Sequence, residues 1–274
     1  MLEQNRVEYD KQQVHDFWND ASCGEALYLQ GVERDAYLSH AQKRYQLENY
    51  IVDFARFDRA RGQRVLEIGV GLGADHQRFA EAGANLYGID LTERAVEHTR
   101  RRLASFGLSS KLAVGDAEQL DFPDDYFDVV YSWGALHHTP DTQKAVLEVW
   151  RVLKPGGGVR AMIYHKWSMV GFMLWIRYAL LRARPWLSIS DIYARYLESP
   201  GTKAYSVLEA QRLFSAFTKV TIRTVLTHGD LLDSQAGQRH GGALLLVARA
   251  IWPRTLIKRL FPKLGLFMLV EAQK

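Results

Sequence analysis

The sequence predicts an α/β fold with a parallel sheet that is covered by helices on both faces. Between residues 64 and 165, short apolar segments alternate with longer amphipathic ones. Gly83 and Gly107 follow the first two amphipathic segments, at positions where helices commonly end. A glycine-rich turn also lies between the first apolar segment and the first amphipathic one. Strands that alternate with helices form parallel sheets, because each helix connects two strands that run in the same direction.

The predicted elements of this region follow one another in a regular order. The first strand is RVLEI, and a helix over GADHQRFAEAG follows it. The strand ANLYGID and the helix ERAVEHTRRRLASFG come next. Two strands, KLAVGD and DYFDVVYSW, precede the helix DTQKAVLEVWRVL, which the segment KPGGG ends. The fifth strand is VRAMIYH.

Helices are also predicted on both sides of this region. Residues 5–20 and 36–56 show helical apolar periodicity. After His165 the chain becomes apolar almost all round, but the apolar core Trp167 to Leu181 has 15 residues. That length is below the about 20 residues that a membrane-spanning helix needs.

The remaining segments complete the predicted sheet. We expect a helix over 206–217, a strand over 219–226 and a final strand over 265–274. The apolar and basic segment 241–261 is predicted to be a helix that Pro253 kinks or splits.

Charge is distributed unevenly along the chain. Residues 1–150 contain 16 Lys and Arg against 25 Asp and Glu, whereas residues 151–274 contain 19 against 6. This asymmetry indicates an acidic partner for the second half, such as nucleic acid, anionic lipid or a phosphorylated or carboxylated small molecule. A solvated basic face without a partner is the alternative.

Two features favour a cytoplasmic protein. The first residues, MLEQNRVEYDKQQ, are polar and charged, so no secretory signal is visible. Cys23 is the single cysteine, which excludes an internal disulfide and suits a reducing compartment. We expect Cys23 to be a small buried residue. Association with a membrane surface stays open as an addition to the cytoplasmic location.

The three glycines Gly69, Gly71 and Gly73, here called the glycine turn, predict a cofactor site. Glycine lacks the Cβ that would hold a ligand away from the backbone, and amide groups at a helix start face such a ligand. Asp90 ends the second strand and therefore lies at the same edge of the sheet. Its carboxylate can accept hydrogen bonds from both ribose hydroxyls of an adenosine, which nicotinamide cofactors and S-adenosylmethionine share.

Two further acids distinguish between these cofactors. Glu67 ends the first strand, where its charge would repel a pyrophosphate and attract the ammonium of a methionine tail. Asp116 ends the third strand, where it can accept a hydrogen bond from an adenine amino group. Both residues favour S-adenosylmethionine.

Four motifs carry a resemblance to a known family. LEIGVGLGAD, GIDLT, GDAEQLDFPDDYFDVVYSWGALHHTPD and LEVWRVLKPGGG are similar to the sequential motifs of class I S-adenosylmethionine-dependent methyltransferases. The similarity is greatest to the branch that resembles ubiquinone and menaquinone biosynthesis enzymes and acts on small molecules. It covers about residues 40–165, with weaker support at 265–274. The resemblance implies a Rossmann-like seven-stranded sheet whose last strand is antiparallel, and S-adenosylmethionine as the cofactor.

The resemblance also implies roles for individual residues. Glu67 and the glycine turn surround the methionine part, Asp90 holds the ribose, and Leu91 packs on the adenine. The sequence departs slightly from the family at Val70, where relatives often have a small residue or Cys.

Four more residues complete the implied cofactor site. Asp116 and Ala117 meet the adenine edge. Ser132 and Trp133, at the end of the fourth strand, border the methionine carboxylate and the sulfonium.

The acceptor side depends on less specific signals. His137 and His138 follow the fourth strand and either act as a base or only shape the pocket. Tyr164 and His165, at the end of the fifth strand, are candidates for the same two roles.

The segments outside the alternating region supply the other acceptor candidates. In the N-terminal lid, Trp18 and Tyr28 either cover the sulfonium or belong to a packed apolar face. Arg177 is a candidate partner for an anionic group of the acceptor.

The predicted organisation has four parts: an N-terminal helical lid over 1–60, a cofactor-binding core over 61–165, a helical substrate cap over 166–205, and the end of the sheet over 206–274 with a helical insert at 236–263. The apolar and basic inserts favour a lipophilic, partly anionic small molecule as the methyl acceptor, with O- or C-methylation, at a membrane surface or in solution. The alternatives are methylation of RNA or protein, a nicotinamide oxidoreductase, and a cofactor-binding module without catalysis. Neither a metal nor a nucleic-acid partner is expected.

Overall fold

The computed structural model describes residues 10–233 and 249–274. Seven strands form one sheet: β1 Arg64–Ile68, β2 Asn85–Asp90, β3 Lys111–Val114, β4 Phe127–Trp133, β5 Leu153–Tyr164, β6 Thr218–Val225 and β7 Phe267–Gln273. Their spatial order is β3-β2-β1-β4-β5-β7-β6. Neighbouring strands pair in parallel from β3 to β5, and β7 pairs antiparallel with both β5 and β6. The predicted seven-stranded Rossmann-like sheet with an antiparallel last strand is confirmed.

The chain changes direction across the sheet at β1. It runs from β1 outward to β3, and then returns to place β4 against the other side of β1. In open α/β sheets, the crevice at the carboxyl ends of the strands beside such a switch point binds ligands. The glycine turn directly follows β1, so the topology places it in this crevice.

Helices cover both faces of the sheet and one end of it. They are α1 Lys11–Asp20, α2 Glu25–Tyr28, α3 Arg34–Leu47, α4 Tyr50–Ala55, α5 Ala74–Glu81, α6 Glu93–Ser105, α7 Thr142–Val152, α8 Met169–Tyr178, α9 Ile189–Tyr196, α10 Val207–Leu213, α11 His228–Leu231 and α12 Arg254–Leu260. On one face, Val146 of α7 and Ala210 of α10 are buried against the sheet. On the other face, Phe54, Phe79 and Ile192 are buried from α4, α5 and α9.

The single helix predicted over 36–56 is wrong. The structure has two helices, α3 and α4, because Glu48 leaves the helical region with φ −127° and ψ 55°. The break lets α4 bury Ile51, Phe54 and Ala55 in the core, while α3 contacts α5 and α6. It also leaves the side chain of Glu48 at the end of α3.

The fifth strand is longer than predicted. KPGGG ends helix α7 as expected, but it belongs to β5, which begins at Leu153 rather than near Val159. The last residue of the chain extends the pairing: the Gly156 amide donates to the Lys274 carbonyl, and the Lys274 amide donates to the Gly157 carbonyl, each at 3.0 Å. This partner comes from the far end of the chain, so the local sequence does not reveal it.

The late inserts are short helices in the described part of the chain. Pro253 separates helical residues 249–251 from α12, which confirms the predicted split. Among the described residues, no helix is both long and apolar enough to cross a membrane. The predicted helix 5–20 and the insert 236–263 extend in part outside the described residues.

Candidate active site

A cavity of about 650 Å³ lies at the carboxyl edge of the sheet. Four strands contribute their last residue to its wall: Ile68 of β1, Asp90 of β2, Trp133 of β4 and Tyr164 of β5. The helices α1, α2 and α3 line it on one side and α8 lines it on another. The parallel strands thus bring residues that are distant in sequence into one site.

The glycine turn forms the floor of this cavity beside β1. Its glycines have φ values of +82°, +51° and +72°, which side chains with a Cβ rarely adopt. A Cβ at Gly69 would collide with Ala135, and one at Gly73 would lie 2.8 Å from Thr99 Oγ1. A Cβ at Gly71 would meet nothing within 4 Å. Gly71 therefore presents bare backbone to the open cavity.

Asp90 is connected to the glycine turn by hydrogen bonds. One carboxylate oxygen accepts from the Gly71 amide at 3.1 Å, and the other accepts from the amide and hydroxyl of Thr92 at 3.0 and 2.9 Å. Burial raises the pKa of Asp90, and these hydrogen bonds oppose that effect. Leu91 follows it on the cavity wall. The carboxylate thus connects the end of β2 to the glycine turn on the cavity wall.

Glu67 lines the cavity but already has a protein partner. Its Oε2 is 2.8 Å from His76 Nδ1, and His76 Nε2 is 2.7 Å from Ser110 Oγ. Burial raises the pKa of Glu67 and lowers the pKa of His76 to about 3, so the imidazole is neutral. Glu67 therefore starts a buried hydrogen-bonded chain that leads away from the cavity.

Asp116 and Ala117 line the end of the cavity at which the adenine is expected. The Asp116 carboxylate accepts a hydrogen bond from Lys11 Nζ of α1, and Lys11 also bonds Glu118 at 3.0 Å. Glu118 in turn accepts from the Asp141 amide at 2.8 Å. The N-terminal helix is thus bound by ionic contacts to the corner where an adenine edge would meet Asp116.

Further ionic contacts hold the N-terminal segment over the cavity. Glu25 of α2 pairs with Arg94 of α6 at 2.6 Å, and His15 of α1 lies 3.1 Å from Glu93. The Arg94 hydrogen bond lowers the pKa of Glu25 to about 2. Trp18 and Tyr28, the predicted lid aromatics, both line the cavity.

A buried carboxylate at the start of α5 was not predicted. Asp75 accepts two hydrogen bonds from Arg44, at 3.2 and 2.7 Å, one from Tyr45 at 2.9 Å and one from Tyr131 at 2.8 Å. These donors come from α3 and β4, so Asp75 joins the N-terminal helices to the sheet. The short spacing between Asp75 and the glycine turn could have marked it, but its partners are distant in sequence.

The structure separates the two residues at the end of β4. Trp133 lines the cavity and stacks on Tyr50, with ring centres 6.1 Å apart. Ser132 is fully buried, and its hydroxyl donates to the Ile68 carbonyl at 3.0 Å, which joins β4 to β1. Any contact of Ser132 with a ligand would therefore involve its backbone.

The two histidines after β4 have different environments. His138 lines the cavity, with Nδ1 2.8 Å from Ser199 Oγ and 3.2 Å from Thr202 Oγ1. His137 is fully buried, and neither ring nitrogen has a hydrogen-bond partner among the described residues. Burial lowers the pKa of His137 well below its usual value, so the ring is neutral. Its position indicates packing against Tyr164, at 4.0 Å between ring centres, rather than contact with a ligand.

Glu198 connects the two strand ends on the acceptor side and was missed by the sequence analysis. Its Oε2 accepts from the Tyr164 hydroxyl at 2.6 Å and lies 3.4 Å from His138 Nε2. All three side chains line the cavity, and burial raises the pKa of Tyr164. Glu198 follows α9 in the cap, 60 residues after His138, and no local pattern marks it.

The far end of the cavity is apolar. It is lined by Val170, Met173, Leu174, Ile176, Leu181, Leu197, Leu232, Trp252, Leu266 and Phe267. Arg177 also lines it, whereas His165 is buried outside it with Nδ1 3.1 Å from the Gly265 carbonyl.

Cys23, expected to be buried, is exposed and lines the cavity. In the described ranges, no three His, Cys, Asp or Glu side chains are grouped to hold a metal ion.

Comparison with known proteins finds similarity in the central part of the chain. A family model described as a methyltransferase domain matches residues 66–160. The sterol 24-C-methyltransferase erg6 of Aspergillus fumigatus is 38% identical over 99 residues, which cover 35% of this chain and 26% of that protein. The phosphoethanolamine N-methyltransferase 2 of Caenorhabditis elegans is 37% identical over 107 residues, covering 38% and 24%. The chain thus matches about a quarter of the length of these relatives.

Solved structures show the same fold over a larger part of the chain. The phosphoethanolamine N-methyltransferase 2 of Haemonchus contortus, solved with phosphomonomethylethanolamine and S-adenosylhomocysteine, has a TM-score of 0.59 at 16% identity and covers 95% of this chain and 60% of that one. The YcgJ protein of Bacillus subtilis has a TM-score of 0.54 at 20% identity and covers 83% and 98%.

Proposed function

We propose that this protein, whose residues 66–160 form a class I S-adenosylmethionine-dependent methyltransferase domain, transfers the methyl group of its cofactor to a lipophilic small molecule by O- or C-methylation. The observation that carries the proposal is the division of one cavity into two chemically different ends. One end has the glycine turn, Asp90 and Asp116, and the other has an apolar wall from α8 and β7. A polar cofactor and an apolar acceptor would meet between them.

The cofactor end has a residue for each part of the molecule. S-adenosylmethionine supplies an electrophilic methyl group on a sulfonium ion. Asp90 would accept from the ribose hydroxyls, Asp116 from the adenine amino group, and Leu91 and Ala117 would pack on the ring. Trp133 and Trp18 present aromatic rings to the cavity, and such rings attract cations. Alignment of the acceptor with the methyl group can contribute about 7–11 kcal/mol to catalysis.

His138 is positioned to take a proton from the acceptor. The Thr202 hydroxyl donates to the Ser199 carbonyl at 2.7 Å, so it presents acceptor lone pairs to His138 Nδ1. The Ser199 hydroxyl, 2.8 Å from Nδ1, can either accept from this nitrogen or donate to it, and in the first case Nε2 is the proton acceptor. Glu198 lies beside Nε2 and would stabilise the imidazolium that forms, and Tyr164 holds the Glu198 carboxylate. A positioned base of this kind adds about 10²–10⁴ in rate.

The names of the relatives support a small acceptor. Two relatives in the comparison are described as acting on sterols or phosphoethanolamine. Sterols are largely apolar, as is the far end of the cavity, whereas Arg177 could pair with an anionic group of an acceptor.

A labelling experiment tests the proposed function. Purified protein is incubated with methyl-labelled cofactor and a hydrophobic extract, then with RNA and with protein in separate reactions. We expect label in the organic phase, and a loss of at least about tenfold in rate for His138→Asn. Native mass spectrometry of the purified protein would reveal a retained cofactor product or acceptor. Label in RNA or protein alone would overturn the proposed acceptor class.

We further propose that the acceptor is reached at an anionic membrane surface. Residues 166–187 contain four basic and no acidic residues, and residues 249–263 contain five basic and none acidic. These segments hold ten of the eighteen large apolar side chains that are exposed in the described part of the chain: Trp167, Phe172, Ile176, Leu180, Leu181, Trp186, Ile251, Leu256, Leu260 and Phe261. An apolar surface with interspersed basic residues suits the interface of an anionic bilayer.

Hydrogen bonds connect these two segments at the apolar end of the cavity. The Met169 amide donates to the Leu264 carbonyl at 2.9 Å, and Asp230 accepts from the Val170 amide at 3.1 Å and from Trp252 Nε1 at 2.9 Å. Ile176 is 45% exposed and also lines the cavity, so this side chain belongs to both the apolar surface and the cavity wall. An acceptor could pass from the bilayer into the apolar end without crossing water.

Vesicle sedimentation tests the membrane contact independently of catalysis. We expect binding to phosphatidylcholine vesicles that contain phosphatidylglycerol, and weaker binding without it. Trp186→Ser and Ile251→Ser, both 75% exposed, should weaken binding, whereas Leu208→Ser, 56% exposed on α10, should not. Equal binding of all four proteins, or none to either vesicle, would contradict the proposal.

A further inference from the structure

Glu48 lies on the cavity wall, and one of its carboxylate oxygens has an ion-pair contact with Arg44 but no hydrogen bond among the described residues. The residue is 8% exposed, and its Oε2 has no hydrogen-bond partner among the described residues. A buried carboxylate without hydrogen bonds is costly, so such groups usually have a partner. The break between α3 and α4 places Glu48 here. A ligand that brings a hydrogen-bond donor would satisfy it.

Arg44 provides the opposite charge one helical turn earlier. Its Nε and Nη2 donate to Asp75, while its Nη1 lies 3.5 Å from Glu48 Oε2. The guanidinium also lies 5.8 Å from the centre of the Trp133 ring. Both Arg44 and Glu48 line the cavity. A positive and a negative group therefore stand side by side, facing the same space.

The bond to Asp75 fixes where this pair stands. Asp75 is the second residue of α5, which directly follows the glycine turn. The pair is thus held beside the turn, at the cofactor end of the cavity. Glu67, which the sequence analysis assigns to the ammonium of the methionine tail, has its Oε2 bonded to His76 instead.

We propose that Arg44 and Glu48 bind the zwitterionic amino-acid group of the cofactor, with Glu48 accepting from the ammonium and Arg44 donating to the carboxylate. This inference rests on the proposed function, because it takes S-adenosylmethionine as the ligand of the cavity. A protonated amine on the acceptor would offer Glu48 the same ammonium chemistry. The pairing with Arg44 favours the amino-acid tail, since the tail carries both charges on one carbon atom.

The charges around Glu48 make the binding pH-dependent. Burial raises the pKa of Glu48 to about 7, the Arg44 charge lowers it, and Asp75 and Glu198 raise it. Tyr50, Tyr164 and Cys23 are also within electrostatic range. An ammonium ligand favours the carboxylate form, so binding lowers this pKa and releases a proton. Affinity should therefore rise as the pH increases through about 7.

Calorimetry with two related probes tests the assignment. S-adenosylhomocysteine has the amino-acid tail, whereas 5′-methylthioadenosine lacks it. Glu48→Gln should weaken S-adenosylhomocysteine by about 10- to 100-fold and leave methylthioadenosine unchanged. The variant should also lose the rise in affinity between pH 6 and 8 that the unaltered protein shows. Asp53→Asn, an exposed acid on α4, is the matched control and should change neither probe.

Three outcomes would overturn the assignment. Glu48→Gln could leave both probes unchanged, or weaken both equally, which would indicate a change in the cavity rather than a lost contact with the tail. Phenethylamine, an amine without an adenosyl group, serves as a third probe. If Glu48→Gln weakens the binding of phenethylamine and leaves the binding of S-adenosylhomocysteine unchanged, Glu48 would be assigned to an acceptor amine. Failure of the proposed function is distinguishable from all of these: without cofactor binding, the unaltered protein would bind neither adenosyl probe, and a different acceptor class would appear in the labelling experiment while both probes still bind.

Discussion

Replacement of Asp75 by Asn should destabilise the fold more than any change at the surface. The carboxylate is 3% exposed and accepts four hydrogen bonds, from Arg44, Tyr45 and Tyr131. Asn keeps the shape but loses the charge, and its amide group offers a donor where the neighbours are also donors. Removing one partner of a buried ion pair costs about 3–5 kcal/mol, so we expect that loss in the free energy of unfolding.

Urea denaturation followed by tryptophan fluorescence measures this loss. Asp75→Asn should lower the midpoint without changing the slope, whereas Asp53→Asn should change the free energy by less than about 0.5 kcal/mol. A loss below about 1 kcal/mol for Asp75→Asn would refute the argument, because it would mean that Arg44 finds another partner at little cost.

The same ion pair gives a pH dependence with a definite sign. Burial acts to raise the pKa of Asp75, but the Arg44 charge and the hydrogen bonds outweigh it and hold this pKa below its usual value. A lowered pKa in the folded state stabilises the fold above the unfolded pKa of about 3.9. The contribution of Asp75 is therefore lost as the pH falls below that value, and Asp75→Asn should flatten this part of the stability profile.

Three further predictions concern the glycine turn, the lid and the acceptor side. Gly69→Ala places a Cβ at a positive φ and against Ala135, so it should lower the free energy of unfolding by about 2–4 kcal/mol in urea denaturation. Gly62→Ala, at a similar φ but in open space, should lower it by about 1–2 kcal/mol. Equal losses would contradict this prediction. The pKa of Glu25 is lowered to about 2, so its pairing with Arg94 should weaken as the pH falls from about 4.5 to 2. Proteolysis of the N-terminal segment should become faster over this pH range. An unchanged rate of proteolysis would contradict the prediction. Tyr164→Phe should reduce the methyl-transfer rate by about tenfold with little change in cofactor affinity, and a change in affinity alone would place Tyr164 at the cofactor.

The cofactor end of the cavity could be predicted from the sequence because its signals are local. The glycine turn, Asp90 and Asp116 each follow a strand within a few residues, and the carboxyl ends of parallel strands meet at one edge. The sheet could be predicted for the same reason, because the alternation of strands and helices is also visible in the local sequence. All of these residues line the cavity, as do Leu91, Ala117 and Trp133.

Several other contacts around the cavity could not be predicted to the same extent, because they join distant parts of the chain. Glu198 meets His138 and Tyr164 through the cap, and Arg44 meets Asp75 across 31 residues. The break at Glu48 had no sequence signal of the usual kind, since neither Gly nor Pro occurs there. Ile51 and Phe54, which follow that break, are buried in the core. The helical periodicity of the sequence does not reveal the break.

The charge asymmetry along the chain was informative but incomplete. It predicts an acidic partner for the second half, and that partner stays a prediction; in the structure, Arg177 of that half lines the cavity next to the exposed Ile176. In the first half, Arg44 and Arg94 form ion pairs with Asp75 and Glu25. Sequence counting alone does not distinguish paired from solvent-facing charges.

Binding of S-adenosylhomocysteine to a Gly71→Asn variant tests the central claim most directly. Asn tolerates the left-handed backbone conformation, so the turn at φ +51° should persist, while its side chain enters the space that is open at Gly71. Calorimetry should show binding to the unaltered protein and a loss of at least about 100-fold in the variant, with unchanged thermal stability. Equal affinity in both proteins would contradict the claim that bare backbone at this turn receives the cofactor.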